Sequence, residues 1–160
     1  MKKIFYSLLL ILSVISLSSC LEGNLDELPL YEEAEIASVS TVRYRYISDE
    51  KSPSSDEFLV KEVDLSYTSD IDSNAGIVNI YVTISEEFPT DQLNKLSKKE
   101  LVIAVALSTA ARMMPTNGSP KLGIPGDWSK ANTYVVEAAG GKKKDWIIEV
   151  VSLENRKSIK

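Results

Sequence analysis

The chemistry open to this chain is bounded first by a residue it lacks. None of its 160 residues is a histidine, so neither a Ser-His-Asp triad nor a Cys-His pair can form to activate a nucleophile. Cys20 is the single cysteine, which excludes an intramolecular disulfide and any zinc site built from histidine and cysteine. Carboxylate or lysine chemistry remains open, yet neither leaves a local motif. The expectation is a protein without catalytic residues and without a cofactor.

Cys20 stands where a thiol has a specific fate. Lys2 and Lys3 make a positive start, Ile4 to Leu17 form an apolar stretch broken by small polar residues, and Leu17-Ser18-Ser19-Cys20 closes it. Those are the three parts of a secretory signal. A plain signal needs no cysteine after its cleavage site; a lipoprotein signal does, because the thiol is alkylated with diacylglycerol before the cut. The apolar stretch also falls short of the roughly 20 residues that span a bilayer. Residues 1–19 are therefore expected to be a signal peptide, and Cys20 the lipidation site and membrane anchor. Cleavage before Cys20 leaves 141 residues, and removing Lys2 and Lys3 takes the formal charge from −5 to −7. That length suits one domain with its own core, and that charge argues against binding nucleic acid, whose phosphates require a basic patch.

Four further groups of side chains have the chemistry to meet a ligand. Asp70, Asp72 and Asn74 place oxygens at alternate positions, as calcium loops do. However, Ala75 stands where such a loop needs glycine, and Tyr81 where it needs a bidentate glutamate. A polar connection between strands is the better-supported reading, and no metal site is assigned. Trp128, between Gly126-Asp127 and Ser129, is an aromatic on a loop; it either stacks on a sugar ring, with Asp127 or Ser129 taking a hydroxyl, or plugs the end of the core. The plug is the stronger of the two. Should sugar bind, Trp128 is still a better contact than Trp146, whose alternation with Ile148 and Val150 commits it to the core. Tyr44 and Tyr46 offer rings opposite Arg43 and Arg45; tyrosines inward and arginines solvated is the simpler arrangement, unless the strand lies at a sheet edge. Lys142-Lys143-Lys144 is most simply a solvated hairpin tip.

The elements that must position these groups are strands. Period-two alternation marks Ile36 to Ile47, Phe58 to Tyr67, Ile77 to Ile84 and Leu101 to Leu107. Tyr134, Val136 and Ala138 lead into Gly140-Gly141, and Trp146, Ile148 and Val150 leave it, which makes a closing hairpin. Asp91 to Glu100 alone has the spacing for a helical turn. Five or six strands and almost no helix predict an all-β, antiparallel two-layer sandwich over residues 36–152. An acidic tether (20–35) precedes it and a polar tail (153–160) follows. Glu22, Asp26 and Glu27 read equally as an export address and as an ordinary linker.

From Phe88 to Val150 the chain resembles a recurring module of surface lipoproteins in the Bacteroidota. The landmarks are Leu107-Ser108-Thr109-Ala110-Ala111, Met114-Pro115, Asn117-Gly118, Gly126-Asp127-Trp128-Ser129, and the hairpin from Tyr134-x-Val136 to Trp146-x-Ile148-x-Val150. The tether and first strand, from Glu27-Leu28-Pro29-Leu30-Tyr31 to Tyr44-Arg45-Tyr46, extend the likeness. One departure is Ala139-Gly140-Gly141, where the module's turn usually carries an acidic residue before its glycine. The resemblance implies an immunoglobulin-like β-sandwich of unknown function on the outer membrane, exposed at the cell surface. It further implies a surface accessory that binds polysaccharide or docks on an outer-membrane uptake complex. An adhesion or structural envelope protein without a small ligand is the alternative.

Overall fold

The computed structural model describes residues 31–155; Cys20, the leader and most of the tether lie outside them. Among the described residues nine strands form two sheets. The first sheet has the order β2 (Phe58–Asp64), β1 (Ile36–Lys51), β5 (Leu101–Leu107), β7 (Pro125–Gly126). The second runs β3 (Ser66–Asp72), β4 (Ile77–Ile84), β9 (Lys143–Asn155), β8 (Asn132–Glu137), β6 (Arg112–Pro115). The chain is thus an all-β sandwich, as the alternation predicts. One pairing departs from the antiparallel expectation: β4 and β9 run parallel, with Val78 beside Ile148 and Ile80 beside Val150. Periodicity sets which face a side chain takes but leaves strand direction open.

Each inward face supplies the core that its alternation promises. Val78, Ile80, Val82 and Ile84 of β4 are buried, each worth about 1.5–3 kcal/mol in apolar area removed from water. Tyr134 and Val136 of β8, and Trp146, Ile148 and Val150 of β9, complete that side. Val42 and Tyr44 of β1, with Leu101 and Ile103 of β5, face them from the other sheet.

The stretch Phe58 to Tyr67 is two strands rather than one. The chain leaves the first sheet at Asp64 and enters the second at Ser66. Buried Leu65 makes the crossing, its N–H donating to the Val42 carbonyl at 2.9 Å. Alternation survives the crossing, so it hides the switch of sheets. Tyr67 then ties the layers together, its hydroxyl donating to the Val39 carbonyl at 2.9 Å.

Turn chemistry follows sequence at two points. Asn117 and Gly118 have φ of 52° and 73°, and the Ser119 N–H donates to the Thr116 carbonyl; that is the left-handed pair an Asn-Gly turn supplies. In the closing hairpin only Gly141 has positive φ, so one glycine of the pair sets the turn. The segment 91–100 yields turns and a 3-10 turn at Lys98–Glu100.

The folded body exceeds residues 36–152 at both ends. β9 continues to Asn155, and Tyr31–Glu35 lies against the closing hairpin instead of serving as free tether. The Gly140 N–H donates to the Tyr31 carbonyl, and the buried Trp146 indole N–H to the Ala34 carbonyl at 3.0 Å. Glu35 N–H reaches the Ser108 hydroxyl, and the Ser108 N–H returns to the Glu35 carbonyl. Lys144 completes this latch, with Nζ at 2.7 and 2.8 Å from the two Glu35 carboxylate oxygens and 4.7 Å from the centre of the Trp146 ring. It also donates to the Ser73 carbonyl. Lys144 is therefore a structural cation, not part of a solvated tip.

Candidate functional site

Trp128 is fully buried, at 0 % exposure. Its backbone N–H donates to the Lys98 carbonyl at 2.8 Å, its indole N–H to the Leu101 carbonyl at 2.9 Å, and its ring stacks on Tyr134. No face is left for a pyranose, so the proposed sugar platform at Trp128 is corrected: the ring braces the start of β5. Its neighbours are equally committed. The Asp127 carboxylate accepts both the Ser129 hydroxyl (2.5 Å) and the Ser129 N–H (2.9 Å). Those two bonds, the hydroxyl's foremost, hold the Asp127 carboxyl below its ordinary pKa. Tyr134 is buried as well, and loss of solvation pushes its hydroxyl well above the usual phenol range.

The acidic loop is a turn. Asp72 Oδ1 accepts the N–H groups of Asn74 and Ala75, both at 2.9 Å, while Asp70 sits in β3 opposite Asn79. Gly76 closes the loop at φ +69°, and a Cβ there would stand 2.4 Å from the Asp145 carbonyl oxygen. Among the described residues no three histidine, cysteine or acidic side chains are placed to hold a metal.

What the structure assembles instead is a cleft on β1. That strand pairs with β5 over Ile36–Tyr44 and with β2 over Arg43–Lys51. Past Tyr44, no strand flanks it on the β5 side among the described residues. Residues 97–100 lead into β5 on that side. Ser97 caps the 3-10 turn by accepting the Lys99 N–H, and Lys98 donates to the Val150 and Val151 carbonyls at 2.6 and 2.7 Å. The turn before β5 is thereby tied to β9 of the second sheet.

The resulting cleft holds about 640 Å³ and is lined by Tyr44, Tyr46, Arg45, Gln92, Lys95 and Glu100, among others. Tyr46 stacks on Tyr44 with ring centres 5.6 Å apart and planes 14° off parallel. Tyr44 is buried and tilts against Phe88; burial, then the nearby Glu100 charge, raises its hydroxyl pKa. Tyr46 is only half-buried. Arg45 is engaged elsewhere: Glu62 takes hydrogen bonds from Arg43 (2.9 Å) and Arg45 (2.6 Å), which depress its pKa in that order. Lys95 and Glu100, both exposed, take part in no ion pair among the described residues. Sequence reasoning reaches the tyrosines and arginines of β1 but misses Gln92, Lys95 and Glu100. The one signal for them is the long polar connection between β4 and β5.

A two-layer β-sandwich with an open, mixed-polarity cleft on one strand edge defines a fold rather than a particular activity. The chain belongs to the DUF5018-related family, whose profile matches residues 36–149. It is also similar, at 39 % identity and a TM-score of 0.66, to a crystal structure from Bacteroides fragilis described as a "putative secreted protein". That likeness covers 80 % of this chain and all of the other. No curated protein matches the chain. Among the described residues no helix is long and apolar enough to cross a membrane.

Proposed function

We propose that this protein is a non-catalytic envelope lipoprotein, lipidated at Cys20 and held on the outer surface of the outer membrane, where its immunoglobulin-like sandwich captures polysaccharide or serves an uptake complex. The cleft on the free edge of β1 carries the binding part of this reading. It sets a half-buried aromatic ring beside the exposed side chains of Lys95 and Glu100, which take part in no ion pair among the described residues, and an aromatic ring with a few polar groups is the make-up of a small-molecule site. A chain without histidine and a relative described as secreted support a binding role outside the cytoplasm.

The test has two arms. Expressed with its own leader in a Bacteroides host, the protein should incorporate labelled fatty acid, and Cys20→Ala should abolish the label; label that persists in the variant overturns lipidation there. The mature chain should bind at least one polysaccharide of a broad panel by calorimetry. Silence across the panel overturns the capture reading in favour of an adhesion or structural role, and turnover of any glycan overturns the non-catalytic one.

A further inference from the structure

We infer that the cleft beside Tyr46 is a subsite for a neutral saccharide chain, with the Tyr46 ring as platform and Lys95 and Glu100 as its hydroxyl-binding rim; this rests on the capture reading above. Shape is the first support. The cleft opens along a strand edge instead of closing into a pit, so a polymer can lie through it. Its volume of about 640 Å³ falls within the roughly 300–1,000 Å³ of small-ligand sites.

The platform is the second. One face of Tyr46 is occupied by Tyr44, nearly parallel at 5.6 Å, and Tyr44 is itself wedged on Phe88 at 5.8 Å. The ring is thus fixed by packing, and its other face is the one a ligand can use. A pyranose offers an apolar face of C–H groups to such a ring, and a platform held in advance loses little entropy on binding.

Charge identifies the class of sugar. Within the cleft Arg45 is neutralised by Glu62, leaving, among the described residues that line it, one cation, Lys95, and one anion, Glu100. Beyond the cleft the chain is acidic, with a formal charge of −5. A polyanion such as a uronic-acid polymer would meet net repulsion from the whole protein and from Glu100 in particular. Paired donors and acceptors of opposite charge suit the neutral hydroxyls of a hexose, which both give and accept hydrogen bonds.

The experiment compares variants of the mature chain against whichever neutral polysaccharide the wild type binds. Tyr46→Ala and Lys95→Ala should each weaken binding tenfold or more, and Glu100→Gln several-fold, with thermal midpoints close to wild type. Lys95 lies on an exposed turn, so its variant separates loss of binding from loss of fold even if Tyr46→Ala disturbs the Tyr44 stack. Wild-type binding that survives Lys95→Ala and Tyr46→Ala unchanged would place the sugar elsewhere and overturn the subsite while leaving the capture reading intact. Preference for a uronic-acid polymer would overturn the neutral-sugar assignment. Failure of the wild type to bind any glycan would overturn both.

Discussion

β1 has a covered end and an open one. From Ile36 to Tyr44 one edge pairs with β5, and the other is closed by the crossing chain, through Leu65 N–H on the Val42 carbonyl and Tyr67 O–H on the Val39 carbonyl. From Arg45 to Lys51, among the described residues, β2 is the only strand that pairs with it. The strand's two faces differ as well. On the outward face, near the open end, Ile47 is 68 % exposed and its cross-strand partner Val60 62 %, whereas Val42 on the inward face is buried at 1 %. One strand therefore gives one face to the core and, toward its open end, the other to solvent. Alternation fixes a side chain's face; only the neighbours of the strand decide whether that face or that edge is covered.

The largest effects should come from the tryptophans that brace the two ends. Trp146 grips the Ala34 carbonyl at the latched end, and Trp128 grips the Leu101 carbonyl behind the cleft. Replacing either by alanine should cost roughly 3–5 kcal/mol, since each leaves a large cavity, and should strand a buried carbonyl besides. Urea melts of both variants should show similar losses. A cost for Trp128→Ala below about 1 kcal/mol would mean that its ring is not a plug. It also follows that glycan binding in the cleft should leave tryptophan emission nearly unchanged, because both indoles are sealed from solvent.

A smaller effect, confined to the open end, is expected in acid. Hydrogen bonds from Arg43 and then Arg45 hold the Glu62 carboxyl below its ordinary pKa. A depressed folded-state pKa stabilises the fold above the unfolded carboxyl value, about 4.3, and that contribution fades as pH falls through the folded value. Amides in residues 45–51, the arm of β1 that pairs with β2, should therefore lose hydrogen-exchange protection below about pH 4 ahead of Val78 to Ile84, with Glu62→Gln bringing the same loss at neutral pH. Equal protection of arm and core down the titration would break the contrast between the ends. The effect should be modest, because exposed ion pairs are screened by water and salt.

Much of the core was legible from alternation alone. Ile77–Ile84 and Leu101–Leu107 form as read, and Trp146, Ile148 and Val150 face inward together. What alternation conceals is connectivity. The sheet switch at Leu65 preserves the period, and the parallel β4–β9 pairing leaves no mark in either strand. The latch was missed because its members, Glu35, Ser108 and Lys144, are polar residues more than 30 positions apart that meet only after the fold closes. Trp128 reads as a loop aromatic in the sequence, yet the loop is pinned through Lys98 and Leu101, which no local pattern encodes. The cleft lies where the β1–β5 pairing stops, beside a turn whose Lys98 side chain reaches carbonyls of β9, and no local pattern marks that stop.

The smallest expected effect gives the cleanest comparison, because the same kind of substitution can be made on the inward and on the outward face of one strand. Val42→Thr keeps the β-branched shape but puts a hydroxyl into the core without a partner, at a cost of roughly 1–3 kcal/mol. Ile47→Thr, alone or with Val60→Thr, retains strand propensity and exchanges exposed apolar surface for a solvated hydroxyl, so stability should stay within about 0.5 kcal/mol of wild type. Denaturant midpoints with unchanged slopes would establish both values. If Ile47→Thr instead costs as much as Val42→Thr, the outer face of the open end is buried in solution, and concentration-dependent melting would identify a second copy of the chain as what covers it. A cost that does not vary with concentration would mean that the arm folds back on its own domain, closing the edge on which the cleft depends.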